Sequence, residues 1–203
     1  MKEKIITIES VPNPEKSVLR QPSSKVIFPL ATTDQALIAE MKEMMFALGG
    51  VGLAAPQIGI GKNIAVIYIP ESAAMLRDNV QEKPMHVIIN ATYEPIEDKG
   101  KYNDFEACYS VTSVMGKVPR YNAITVRYQD ETGKEITKIE QGFYARVLQH
   151  EIDHLNGLLI TDRLTPECLQ GTYEEMLKIR RAELPPEKRS LFDDFLKQKS
   201  LRR

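Results

Sequence analysis

The chain lacks the features that would mark a nucleic-acid binder, a membrane protein or a disulfide scaffold. Its 203 residues carry 27 Lys and Arg against 28 Asp and Glu, a net charge of −1, so no excess of one sign draws it to nucleic acid or to an anionic membrane. No apolar stretch is long enough to cross a bilayer, and Met1-Lys2-Glu3-Lys4 opens the chain without the apolar core of a signal peptide. Cysteine is scarce: Cys108 and Cys168 stand 60 residues apart and suggest no disulfide framework. A thiolate that served as a metal ligand would also need reducing conditions. These absences together imply a cytoplasmic protein. The length suffices for one well-buried core and no shift in composition divides it, so residues 1–203 are expected to form a single domain.

Histidine is equally scarce, and two of the three His residues fall in one pentad, His150-Glu151-Ile152-Asp153-His154. On an α-helix the two imidazoles would stack one turn apart on one face and could grip a divalent metal. Glu151, beside the first of them, could take a proton from water instead of ligating. Leu148, Ile152 and Leu155, at i, i+4 and i+7, supply an apolar stripe for such a helix, and Asn156-Gly157 a stop signal.

A third ligand is needed, and a longer metallopeptidase pattern would place a histidine where this chain has Ile160. His86 sits in the apolar run Val87-Ile88-Ile89 and reads as a strand-edge residue. Two candidates then stand open. Cys108, 42 residues before His150, could complete a tetrahedral site with one open position. Glu174 or Glu175 could instead complete a two-histidine, one-glutamate peptidase site. Cys168 reads as a small buried hydrophobe.

A further segment, Gly50-Val51-Gly52-Leu53-Ala54-Ala55-Pro56-Gln57, follows an amphipathic helix expected over residues 34–48, with Leu37, Met41, Met44 and Leu48 on one face. Its glycines let backbone approach a ligand closely, and Gln57 offers an amide donor to an oxyanion.

The three segments, in this order and spacing, resemble the peptide deformylase family, whose motifs are G-x-G-L-A-A-x-Q, E-G-C-x-S and H-E-x-D-H. Here they stand as Gly50 to Gln57, Glu106-Ala107-Cys108-Tyr109-Ser110, and His150 to His154. Ala107 replaces the family's glycine, and Tyr109 occupies a position where many members carry leucine. An alanine there requires a backbone that does not need positive φ. The resemblance runs from about the first helix to about Leu164.

The resemblance implies an α+β fold with small mixed or antiparallel sheets around a central metal-binding helix, followed by C-terminal helices. It implies a hydrolase that removes the formyl group from N-formylmethionyl nascent peptides, near the ribosome. Cys108, His150 and His154 would be metal ligands and Glu151 the proton carrier. The Gln57 side-chain amide and the Tyr109 backbone N–H would serve the oxyanion. Gly52 would bond an extended peptide, and the methionine pocket would lie near Val51, Phe143, Val147 and His150. Arg146 falls in the same stretch without an assigned place. Ferrous iron is the expected ion, and Zn2+, Ni2+ or Co2+ would suit the same ligands. Two rival readings are the metallopeptidase above and a catalytically inactive deformylase-like protein whose metal only fixes the fold; retained Glu151 and Gln57 argue against the second.

Elsewhere the pattern suggests strands near residues 64–69, 86–90 and 93–98, and a surface loop or short irregular helix over 71–84. A hairpin of 123–128 and 135–139 follows. Thr165-Pro166 reads as a helix start with Leu169 on the buried face, and the helix would run to about residue 182. Pro185-Pro186 breaks it before a charged helix over 187–203. Because every proposed ligand precedes Pro185, this tail is expected to be dispensable for catalysis, while its Leu191, Phe192, Phe195 and Leu196 could pack on the body or a partner.

Overall fold

The computed structural model describes residues 4–77 and 80–201. Helix α1, Thr32–Leu48, buries Ile38, Met41 and Met45 and ends where Gly49 turns left-handed at φ 60°, the conformation glycine adopts at least cost. Its buried line is thus centred on Ile38 and Met45, with Leu37 and Met44 at the rim, a rotation from the expected face. Asp34 lies on the same buried line, in the first turn, and is paired with Lys62.

The larger sheet has the order β1-β2-β3-β6-β7, with every neighbouring pair antiparallel. Its strands are β1 Gly52–Ala54, β2 Ile64–Ile69, β3 Lys83–Pro95, β6 Ala123–Gln129 and β7 Glu135–Gln141. β2 is the apolar run IAVIYI, nearly all buried, as a strand covered on both faces should be. The two strands expected over 86–90 and 93–98 are one, β3. Asn90 interrupts it with φ 53° and a register shift between Ile89 and Thr92. The Asn90 side chain accepts from Val26 N and donates to Val26 O and Gln129 Oε1, at 2.7–2.9 Å, so the irregularity is tied down on three sides. The β6–β7 hairpin matches expectation, its turn closed by Asp130 Oδ1, which accepts from Thr132 N and Lys134 N.

A second antiparallel sheet, β4 Lys101–Cys108, β5 Val111–Tyr121 and β8 Gln170–Gly171 in that order, had no counterpart in the sequence reading. The stretch KYNDFEAC is too polar to announce a strand and becomes one through pairing with β5. Gly116 in β5 is needed for close approach: a Cβ there would lie 2.8 Å from Leu164 and 2.9 Å from the Leu169 carbonyl.

Helix α2, Glu71–Met75, is the short helix foreseen within 71–84; positions 78–79 of that stretch lie outside the described residues. Helix α3, Gly142–Leu155, buries Leu148, Ile152 and Leu155 and contacts strands of both sheets. No helix begins at Thr165. Residues 165–168 form a turn, Leu169 is 41 % exposed, and Gln170 and Gly171 pair with β5. Helix α4 is Tyr173–Glu183, and Thr172 caps it: Thr172 Oγ1 accepts from Glu175 N–H while Thr172 N–H donates to the Glu175 carboxylate at 2.9 Å. That reciprocal pair satisfies two helix-end groups, which Thr165 does not. Helix α5, Pro186–Leu201, folds back on the body and buries Phe192 completely; residues 202–203 of the expected tail helix lie outside the description.

Candidate metal centre

Cys108 ends β4, and its pairing with Val111 closes a tight turn that holds the thiol against α3. On α3 the 3.6-residue period brings the His150 and His154 rings to 4.9 Å between centroids. The donor atoms of Cys108, His150 and His154 all lie within 4.8 Å of one another. Cys108 Sγ is 3.2 Å from His154 Nε2, and Ser110 N–H donates to the same sulfur at 3.4 Å.

The surrounding charges favour a cation here. His150 Nδ1 lies 2.9 Å from Glu106 Oε2, which leaves Nε2 for the centre. Burial alone would depress the pKa of His150, but hydrogen bonding to Cys108 and Glu106 raises it well above the ordinary value. These two neighbours favour positive charge at this spot. His154 behaves oppositely: burial and the neighbouring His150 charge hold it well below its ordinary pKa, so its ring stays neutral as a ligand must be. One sulfur and two imidazole nitrogens, close together and buried, fit a divalent ion with a position left open.

Glu106 was quoted in the motif without a role, and the structure gives it one. Its carboxylate meets the Arg120 guanidinium through two bonds of 3.0 and 2.9 Å, and Arg146 Nη1 donates to Oε1 at 2.7 Å. Burial would raise its pKa, but Arg120 and His150 hold it well below the usual carboxylate range. Arg120 also bonds Asp153, which Arg163 clamps with bonds of 3.0 and 2.6 Å. The network thus runs from the pentad's own aspartate to the histidine that faces the thiol, fixing the orientation of His150. Arg146, unplaced from sequence, donates also to the Val118 and Tyr102 carbonyls.

Glu151 is 3 % exposed, and its Oε2 has no hydrogen-bond partner. Burial pushes its pKa up to about 7, where a carboxylate can both take and give a proton at neutral pH. It lies over Gly52, where a Cβ would stand 1.9 Å from Glu151 Oε1, so the second glycine of the Gly50–Gln57 segment exists to admit this carboxylate. Gln57 is pinned by Ala54 N–H, which donates to its Oε1 at 2.9 Å. Its Nε2 is directed at Ser110 Oγ, 3.3 Å, and Cys108 Sγ, 3.7 Å. Tyr109 donates its hydroxyl to the Leu48 carbonyl at 3.0 Å and packs on Gly50. Ala107 is exposed, and Asn90 alone among the described non-glycine residues has positive φ, so the departure from glycine strains nothing.

A cavity of about 510 Å3 joins these groups. Val51, Gly52, Phe143 and Val147 line it together with Gln57, Cys108, Tyr109, His150 and Glu151, while His154 is buried behind. Glu174 is exposed and paired with Lys178 at 2.8 Å, and Glu175 serves the Thr172 cap. Neither joins the centre, so the metallopeptidase ligand set is not formed. His86 bonds the Tyr144 hydroxyl at 2.7 Å, away from the centre. Cys168 is only partly buried, its sulfur accepting from Thr165 N–H at 3.4 Å; the expected buried thiol is not seen, because the segment forms a surface turn.

The polypeptide deformylase family model matches residues 5–170. The chain belongs to that family. A deformylase relative from Rickettsia conorii, peptide deformylase 2, is 35 % identical over 186 residues, covering 90 % of this chain and 91 % of its own length. Among solved structures, the peptide deformylase of Thermotoga maritima superposes with a TM-score of 0.65 at 30 % identity, covering 82 % of this chain and 99 % of that one. A class I type b peptide deformylase from Acinetobacter baumannii, bound to Met-Ala-Ser, gives 0.67 at 27 %, covering 81 % and 99 %. The α+β fold with antiparallel sheets is the deformylase fold, and the family's requirement for a divalent metal matches the Cys108, His150 and His154 cluster.

Proposed function

We propose that residues 1–203 act as one catalytic domain that hydrolyses the N-formyl group from formylmethionyl peptides, releasing formate and a free amino terminus. Family membership carries the reaction class, and the convergence of Cys108, His150 and His154 beside Glu151 carries the assignment of roles. An ion held by those three residues would supply Lewis acidity, lowering the pKa of water from about 15.7 to about 7. Glu151, at Oε2, takes the proton released on attack at the formyl carbon and hands it to the departing amine. Its burial suits both steps. The Gln57 amide and the Tyr109 backbone N–H receive the oxyanion, and each such donor is worth about 2.7 to 4 kcal/mol. β1 lies at the sheet edge, which supports Gly52 as the strand an extended peptide pairs with, its methionine toward Val51, Phe143 and Val147.

The ion is proposed to be ferrous iron, with zinc, nickel or cobalt as substitutes suited to the same donors. The setting is proposed to be cytoplasmic, near ribosomes where formylated chains emerge; no helix among the described residues is long and apolar enough to cross a membrane. The test is formate release from formyl-Met-Ala-Ser by anaerobically purified protein, with elemental analysis of the same sample. Cys108→Ala should lose both metal and activity, whereas the double change Glu174→Ala, Glu175→Ala should keep its metal. A Cys108→Ala protein with stoichiometric metal would overturn the ligand assignment.

A further inference from the structure

The family match stops at residue 170, yet the cavity beside the metal ligands is completed by later residues: Tyr173, Leu177 and Arg180 of α4, and Phe192, Phe195 and Leu196 of α5. Two guanidiniums stand in this outer wall. Arg77, just past α2, lies over the Phe143 ring at 3.8 Å, and its Nε is buried without a hydrogen bond. The Asp104 carboxylate is 3.5 Å away. Arg180 lies over Phe192 at 5.4 Å, with Asp104 and Tyr173 as its charge partners. A second cavity of about 430 Å3 continues past the first and shares Arg77, Phe143, Arg146 and Arg180 with it, adding the charged residues Asp104, Glu183 and Lys188. The arginines therefore stand where the two spaces meet.

The charges do not balance at this junction. Arg146 is matched by Glu106 at 2.7 Å and Glu183 by Lys117 at 2.8 Å, which leaves Arg77 and Arg180 to share Asp104. Asp104 already spends Oδ1 on the Phe105 N–H at 2.8 Å. Burial lowers the pKa of Arg77 to about 10, with Arg180 adding to the shift, and burial lowers that of Arg180 as well. Two largely desolvated guanidiniums that share one carboxylate are costly, and a further carboxylate is the group their forked donors fit best.

We infer that Arg180 and Arg77 recognise a carboxylate carried by the substrate peptide beyond its formylmethionine, so that the α4–α5 hairpin makes this enzyme select acidic peptides. The inference rests on the deformylase reading and names the substrate class of the same site. The carboxylate has two sources: an acidic side chain on a nascent chain, or the free C-terminus of a short released peptide.

The test measures kcat/KM with metal-loaded enzyme at low salt on formyl-Met-Ala-Ser-amide, the same peptide with a free carboxylate, formyl-Met-Asp-Ser-amide and formyl-Met-Ala-Asp-amide. At least one carboxylate peptide should exceed the neutral amide by about tenfold, the low end for a charge-assisted hydrogen bond, chiefly through KM. The winning peptide identifies the source. Arg180→Gln should bring the ratio to near one, Arg180→Lys should keep part of it, and added salt should reduce it. Equal turnover of all four peptides by the wild type would overturn the inference, as would an unchanged ratio in both Arg180→Gln and Arg77→Gln. Should Arg180→Gln fail to fold, Arg77→Gln and Arg180→Lys decide. If no peptide yields formate at full metal occupancy, the deformylase reading fails instead. Calorimetric binding of Met-Ala-Asp against Met-Ala-Asn-amide then decides the carboxylate site by itself, and equal affinities would reject it.

Discussion

At the scale of single residues, Glu151 and Gly52 form one unit, because the carboxylate fills the space a Cβ at position 52 would need. Glu151→Gln keeps the shape and removes the proton carrier. It should retain its metal while kcat falls about 10²- to 10⁴-fold, and a near wild-type kcat at full metal occupancy would refute the role. Gly52→Ala should displace the carboxylate by sterics alone, so kcat should drop with metal content unchanged by elemental analysis. Both glycine and glutamate were visible in the motifs. Their contact was not, since it joins β1 to α3 across 99 residues of chain.

Among the elements, α5 departs most from its sequence reading. Its apolar residues pack on the body, Phe192 fully buried, and Phe192, Phe195 and Leu196 line the cavity, which bears on a tail expected to be dispensable for catalysis. A truncation after Glu183 should therefore melt lower and lose kcat/KM on formyl peptides. Phe192→Ala should cost about 3–5 kcal/mol of stability in denaturant unfolding. A truncated chain with unchanged melting and kcat/KM would mean that α5 does not dock in solution. β3 offers a pH test. Burial holds His86 below its ordinary pKa of 6.5, so the unfolded chain binds the proton more readily. The stability linked to His86 is full above that value and is lost as pH falls through the depressed one. His86→Gln should flatten the fall in melting temperature as pH drops below 6.5, and an identical slope in both proteins would assign the fall to other groups.

Across the whole molecule, the Cys108, His150 and His154 cluster joins the end of β4 in one sheet to α3, which packs on the other sheet, and a metal held there would fasten the two. Because the proposed ligand set is assembled only in the folded chain, a bound metal would stabilise that state by mass action. Chelation should lower the melting temperature of the wild type and leave Cys108→Ala unchanged. A chelator effect of equal size in both would place the stabilising ion elsewhere. The Glu106–Arg120–Asp153–Arg163 network ties the same parts together without metal. Arg120→Ala, which leaves two buried carboxylates without that partner, should cost about 3–5 kcal/mol.

The sequence by itself determined what local periodicity can encode. The i, i+4 spacing puts His150 and His154 on one face of α3, alternation and turn residues make the β6–β7 hairpin, and Gly49 ends α1. Spacing alone left open whether Cys108 or a glutamate at 174 or 175 meets the histidines, and only the resemblance of the three motifs to a known family pointed to Cys108. It gave no sign of β4, whose polar residues become a strand only when β5 supplies partners. Nor did it tell that Glu106 orients His150 from 44 residues away, or that Arg180 and Phe192 wall the cavity. Tertiary structure decided these, since contacts between distant segments leave no periodic trace in either and exist only once the chain has packed them together.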